Sequence, residues 1–252
     1  MKSSRMDSLR NIETILFDYG NTLVSDPFNT ILELKAKHFV SLIKAKGFQI
    51  GKLKLIKAWS QANGEVQYPH ISHFYQETLI IKRMYEILRI SYTNSLIEET
   101  LKVYRKGFEH ILENDRRNFE TACILARLKK KKQLGILSNE RALSLRLGLQ
   151  YAHLLPHLKL ILSSEEIGVE KPDQNFFLLA LQCFNLDSKK TMYVGDDPKQ
   201  DICPARKIGL MTALYRRSIH ESTPWRNYQT RTLAKSDVSI QSISELEKIF
   251  DY

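Results

Sequence analysis

Cysteine is scarce: Cys123, Cys183 and Cys203 are the only three in 252 residues. Their odd number and wide spacing argue against a disulfide or zinc framework and point to a reducing compartment. Long apolar runs are also missing. No stretch approaches the ~20 residues of a membrane-spanning helix, and Met1–Asp7 lacks the apolar core of a secretory signal. The expectation is a cytoplasmic protein with no membrane association. Internal repeats and low-complexity tracts are absent as well. Acidic residues are in deficit, with 28 Asp and Glu against 38 Lys and Arg, a formal charge of +10 and a pI near 9.4. That balance favours anionic partners. Yet no Arg/Lys stripe interleaves with aromatics, so no nucleic-acid groove is expected. The densest basic run, Lys129–Lys132, follows a helical pattern and reads as a solvated helix C-terminus.

What is present is a globular composition, 43% hydrophobic and 26% charged. The stretch Ile15-Leu16-Phe17-Asp18-Tyr19-Gly20-Asn21 is an apolar run that ends in a carboxylate followed by a Gly-Asn turn. It reads as a buried parallel strand delivering Asp18 at its carboxyl end, where open α/β sheets place their ligands. From Pro27 to about Leu112 the pattern is helical, with Phe28, Ile31, Leu32, Phe39, Leu42 and Ile43 at three- and four-residue spacing. Further helical windows cover about 53–63, 73–88 and 94–112, and no strand signal interrupts them. After Asp115, helices alternate with short apolar strands at about 134–138, 158–162, 191–195, 211–215 and 238–240. Asp173 can cap a helix running to Phe184, Pro204 can open a short helix that Gly209 ends, and Ser244 with Glu247 is spaced as a capping box. This alternation means a parallel sheet covered by helices on both faces. The fold expected is α/β, a doubly wound Rossmann-like core (1–26 and 113–252) carrying an inserted all-helical domain (27–112).

Three further strand ends or helix starts carry polar groups: Ser138-Asn139, Lys171 in Gly168-Val-Glu-Lys-Pro-Asp173, and Asp196 in Gly195-Asp-Asp-Pro-Lys-Gln-Asp201. At one sheet edge, Asp18, Ser138, Lys171 and Asp196 should converge. They supply a carboxylate nucleophile, a hydroxyl donor, a fixed cation and acidic metal ligands. That set suits phosphoryl transfer with Mg²⁺, which takes oxygen ligands and neutralises phosphate charge.

These four segments, in this order, resemble the motifs of the haloacid dehalogenase superfamily of aspartate-nucleophile hydrolases. The likeness spans roughly 1–26 and 113–252, and the helical insertion lies where that family places its cap domain, whose helices set substrate choice. The resemblance implies that Asp18 attacks phosphorus and carries an aspartyl phosphate. It implies that Thr22 steadies the nucleophile loop, that Ser138 and Asn139 lie at the phosphoryl group with Ser138 donating to it, and that Lys171 offsets the charge of Asp18 and phosphate. Mg²⁺ would be held by Asp18, the backbone carbonyl of Gly20 and Asp196, with Asp201 and, less directly, Asp197 orienting that shell. The substrate implied is a small phosphorylated or otherwise anionic compound.

One position departs from the family pattern. Most phosphatases of the superfamily carry a second aspartate two residues after the nucleophile, which protonates the leaving group and then activates water. Here that residue is Gly20. General acid–base catalysis contributes about 10²–10⁴-fold, so slow turnover on generic substrates is expected. The alternatives are an acid supplied by the cap (His70 and His73 are the side chains to test), a leaving group that needs none, a phosphonate-cleaving hydrolase with a cap lysine such as Lys57, or a non-catalytic phospho-ligand binder or scaffold on the same fold. Retention of Asp196 and Asp201 counts against dehalogenation, which uses no Mg²⁺.

Overall fold

The computed structural model describes residues 9–67, 77–216 and 235–250. His70 and His73, the extreme N-terminus and nearly all of the polar stretch between Arg216 and Lys235 lie outside the described residues. Two compact units are present: Met1–Ser25 with Asp115–Tyr252, and Asp26–Asn114.

Strand β1 (Thr14–Phe17) is buried at every position. The helical unit follows with α1 (Phe28–Ala45), α2 (Lys52–Gln67), α3 (Glu77–Leu88) and α4 (Asn94–Asn114). Each helix turns one apolar stripe inward. The core of this unit is aromatic: Trp59 packs 4.6 Å from the Phe39 ring and 5.7 Å from that of Tyr104. Gly107 lets α4 lie close against α1, because a Cβ there would sit 2.9 Å from Ile31 Cγ2.

The chain then builds the sheet unit with α5 (Arg116–Leu128), β2 (Gln133–Ser138), α6 (Ala142–Tyr151), β3 (Leu160–Ser163), α7 (Ser164–Ile167) and α8 (Gln174–Phe184). It continues with β4 (Thr191–Gly195), a wide helical turn at Pro198–Ile202, α9 (Cys203–Lys207), β5 (Met211–Tyr215), β6 (Val238–Ile240) and α10 (Glu245–Ile249). All six strands are parallel, in the order β3-β2-β1-β4-β5-β6. The chain therefore winds one way from β1 through β2 to β3, then the other way from β4 to β6. The reversal falls between β1 and β4, the crevice where doubly wound sheets bind ligands. Phe17 sits in register with Ile136 on one side and Val194 on the other. The α/β doubly wound fold anticipated from the pattern is the one observed.

Local details differ from the sequence reading. Strand β3 begins at Leu160, because Leu155–His157 forms a 3₁₀ turn opened by Pro156. A capping box does form, but at Ser163 and Glu166 ahead of α7. Ser244 makes no side-chain cap. At that helix the Glu245 carboxylate instead accepts from the amides of Gln241 and Ser242, at 2.8 and 3.0 Å, while Glu247 pairs with Arg127. Within the basic run, Lys129 Nζ donates to the Pro156 carbonyl at 3.1 Å and Lys132 Nζ to that of Ile12, so two of these lysines tie down loop carbonyls. Asp173 caps α8 as its position suggests, accepting from the Asn175 amide at 2.8 Å.

Candidate active site

Asp18 follows the last residue of β1, and its amide still donates to Val194 O on β4 at 2.8 Å. That bond holds its side chain beside the end of β4, from which Asp196 emerges. The chain then turns tightly. The amides of Leu23 and Val24 both donate to Tyr19 O at 3.1 Å, and Asn21 adopts φ 62°, a left-handed conformation that asparagine tolerates. This turn folds Thr22 back so that its Oγ1 donates to Asp18 Oδ2 at 3.0 Å. The same hydroxyl lies 3.5 Å from Asp196 Oδ1. Having one proton, it serves the nearer carboxylate and bridges the two in space.

Lys171 arrives from the loop ahead of α8, and a side chain pins its backbone. The Asn139 amide group clamps Lys171 from both sides, donating Nδ2–H to its carbonyl at 3.0 Å and accepting its N–H at 2.9 Å. The Lys171 ammonium then reaches Asp18 Oδ1 at 2.6 Å and Asp201 Oδ1 at 2.8 Å. Burial alone would disfavour the lysine charge, but the two carboxylates outweigh it and hold its pKa well above the ordinary value.

Asp201 sits in the wide turn after β4, pressed against Gly195. A Cβ on Gly195 would lie 2.5 Å from the Asp201 side chain, so only glycine fits there. Asp201 Oδ2 accepts the Asp197 amide at 3.0 Å. Burial raises the Asp201 pKa, opposed by Lys171 and reinforced by the charges of Asp18 and Asp196. Asp197 itself caps the turn, its carboxylate accepting the amides of Lys199 and Gln200 at 2.8 and 3.0 Å. Ser138 ends β2, is buried, and accepts the Glu140 amide at 3.1 Å. Gly20 lies in open space: a Cβ there would meet nothing within 4 Å.

Sequence patterns did not reveal Tyr193. It is a wholly buried residue of β4 whose hydroxyl lies 3.1 Å from Lys171 Nζ, 3.2 Å from Asp201 Oδ1 and 3.3 Å from Leu137 O. Burial and the neighbouring Asp201 charge push its pKa well above the ordinary value, which keeps the phenol protonated. The one available signal was a polar-tipped ring two residues ahead of Gly195 on an otherwise apolar strand.

Among the described residues, the buried charged side chains are Asp18, Lys171, Asp196 and Asp201, and no others. One oxygen of each carboxylate lies within 4.8 Å of the other two. An all-oxygen donor set of this size fits a hard divalent cation.

A doubly wound parallel sheet with a buried carboxylate–ammonium–carboxylate cluster at its switch point defines a class, α/β proteins that gather charged side chains at the carboxyl edge of the sheet. The particular family follows from comparison with known proteins. The chain belongs to the haloacid dehalogenase-like hydrolase family, whose model matches residues 52–215. Ser138, Lys171, Asp196 and Asp201 lie within the match and Asp18 lies ahead of it. Over 89 residues the chain is 33% identical to a glyceraldehyde 3-phosphate phosphatase of Methanocaldococcus jannaschii, covering 35% of this chain and 36% of that protein. Over 73 residues it is 34% identical to a phosphoserine phosphatase of Thermus thermophilus, covering 29% of each chain. The chain thus spans about a third of the length of these curated relatives. Solved structures show the same fold over nearly the whole chain. A 2-haloacid dehalogenase from Pseudomonas syringae matches with TM-score 0.64 and 21% identity, covering 95% of this chain and 98% of that one. The HAD-hydrolase YfnB from Bacillus subtilis, solved bound to magnesium, matches with TM-score 0.66 and 18% identity, covering 96% and 99%.

Proposed function

We propose that this chain is a Mg²⁺-dependent phosphohydrolase acting on a small phosphorylated compound, with Asp18 as its nucleophile. The observation that carries this reading is charge balance. Three carboxylates crowd within 4.8 Å of one another against a single buried ammonium. Two ionised carboxylates at that spacing repel by about 3 kcal/mol even at an effective dielectric of 20. Asp18 and Asp196, with the Gly20 carbonyl, would hold a divalent cation whose charge would offset that cost and attract a phosphate. When bound, Mg²⁺ would supply charge neutralisation of the phosphoryl oxygens. The phosphatase names of the relatives support the same substrate class.

The chain's own residues then divide the work. Asp18 attacks phosphorus, forming an acyl-phosphate bond as the P–O bond to the leaving group breaks. Water attacks the same phosphorus next, releasing orthophosphate and regenerating the carboxylate. Thr22 holds one Asp18 oxygen and Lys171 the other, which fixes the carboxylate's orientation. Ser138 donates to a phosphoryl oxygen. Asn139 acts by clamping the Lys171 backbone, and Asp197 by donating its amide to Asp201, which steers the metal shell. Gly20 supplies no acid. The leaving group must therefore depart as a stable anion, as the carboxylate of an acyl phosphate does, or take its proton from a group outside this loop, and the attacking water likewise finds no base in this loop. Without a base for that water, the aspartyl phosphate is long-lived.

The test is Asp18→Asn, assayed with acetyl phosphate and a panel of phosphomonoesters, with and without Mg²⁺. The expected result is loss of all turnover with circular dichroism unchanged, and wild-type turnover that EDTA abolishes. Turnover surviving in Asp18→Asn would move the chemistry elsewhere. A wild-type chain that binds Mg²⁺ and orthophosphate but never turns over would instead be a phospho-ligand binder.

A further inference from the structure

We infer that Tyr193 is a positioning residue that holds the Lys171 ammonium in place as the counter-ion of Asp18. The inference rests on the phosphohydrolase reading and goes beyond it.

An ammonium has three N–H donors and no acceptor. Three oxygens surround Lys171 Nζ: Asp18 Oδ1 at 2.6 Å, Asp201 Oδ1 at 2.8 Å and the Tyr193 hydroxyl at 3.1 Å. Every donor therefore has a partner before any ligand arrives. The phenol is the one neutral member of this shell. Having accepted from Lys171, it passes its own proton on, to Leu137 O at 3.3 Å or Asp201 Oδ1 at 3.2 Å. Either way it completes a relay of hydrogen bonds. The first option runs from β4 across β1 to the carbonyl just ahead of Ser138, because β2 and β4 flank β1 in the sheet. The ring is held edge-on to Phe177, 5.0 Å away at 87°, so the hydroxyl has little freedom to leave.

Two consequences follow. The location of the ammonium, and hence the charge beside the nucleophile, depends on a residue that touches neither metal nor substrate. Lys171, placed in this way, acts on the nucleophile that it contacts at 2.6 Å. Loss of the hydroxyl should therefore slow the chemical step and spare substrate affinity. A simple core-filling role for the ring predicts neither, since phenylalanine fills the same space.

The experiment is steady-state kinetics of Tyr193→Phe with acetyl phosphate and saturating Mg²⁺, beside wild type and Asp18→Asn. Partners that orient a directly acting group typically change activity by about 10–100-fold. A fall in kcat of that order is expected, with KM within about threefold of wild type. Unchanged kcat, or a raised KM with kcat intact, overturns the inference. If Tyr193→Phe does not fold, 3-fluorotyrosine at 193 keeps ring and hydroxyl but weakens the oxygen as an acceptor. A reduced kcat at constant KM supports the inference there, and wild-type kcat overturns it. The controls separate the two levels. An active Asp18→Asn, or an inactive wild type, defeats the phosphohydrolase reading and takes this inference with it. An inactive Asp18→Asn alongside a fully active Tyr193→Phe defeats this inference alone.

Discussion

A Cβ on Gly20 would meet no atom within 4 Å, and the Gly20 φ is not in the positive range that excludes side chains. The position that lacks an acid therefore has room for one. Gly20→Asp should shorten the life of the phosphorylated enzyme and raise the steady-state rate on alkyl phosphomonoesters, by about 10²-fold or more where departure of a poor leaving group limits. Stopped-flow measurement of phosphate release checks it: an unchanged rate would mean that the acid is already supplied from elsewhere, and a lower one would contradict the prediction. Residues of this kind differ in how readily sequence exposes them. Asp18 ends a run of four buried strand residues, Lys171 precedes a helix start and Asp201 follows a strand end, and it is their order along the chain, matched to the haloacid dehalogenase pattern, that marks them out. Tyr193 gives no such mark. In Thr-Met-Tyr-Val-Gly a phenol looks like any core ring, and only its distances to Lys171 and Asp201 reveal its second role. The double use of the Asn139 side chain was hidden for the same reason, since its partner lies 32 residues away.

Among the elements, β4 and the turn after it govern the site. Gly195 ends the strand, and the Asp201 side chain returns over it so closely that the space of a methyl group is already occupied. Gly195→Ala should destabilise the fold by about 1–3 kcal/mol through overpacking. It should also weaken Mg²⁺ binding, because Asp201 must shift and its bonds to Lys171 and the Asp197 amide shift with it. Thermal denaturation with and without Mg²⁺ reads both effects, and a stabilisation by Mg²⁺ equal to that of wild type would count against the proposed part of Asp201. Strands were legible as elements because each is a short apolar run between turn residues. Their ends were less so. The start of β3 is displaced by a 3₁₀ turn that periodicity cannot register. The capping box formed at Ser163 and not at Ser244, since side-chain spacing permits a cap while nearby competitors decide it. Near Ser244 the competitors are the Glu245 carboxylate, which takes the loop amides, and Arg127, which takes Glu247.

For the whole molecule, the doubly wound topology sets what the separate motifs can do. The reversal of winding between β1 and β4 brings Asp18 and Asp196 to neighbouring strand ends although 174 positions separate Thr22 from Asp196. Strand–helix alternation announced such a sheet. Strand order could not be read in the same way, because it depends on which neighbours pair and not on any local pattern. No described helix is long and apolar enough to cross a membrane. The formal charge of +10 gives the molecule a field that attracts anions, in keeping with a phosphorylated substrate. The most direct measurement is intact-protein mass spectrometry of the chain quenched in acid during turnover of acetyl phosphate with Mg²⁺. A phosphoryl adduct that maps to Asp18, accumulates in an initial burst and is missing from Asp18→Asn is the predicted result. Turnover that proceeds with no adduct, or with the adduct on another residue, would contradict it.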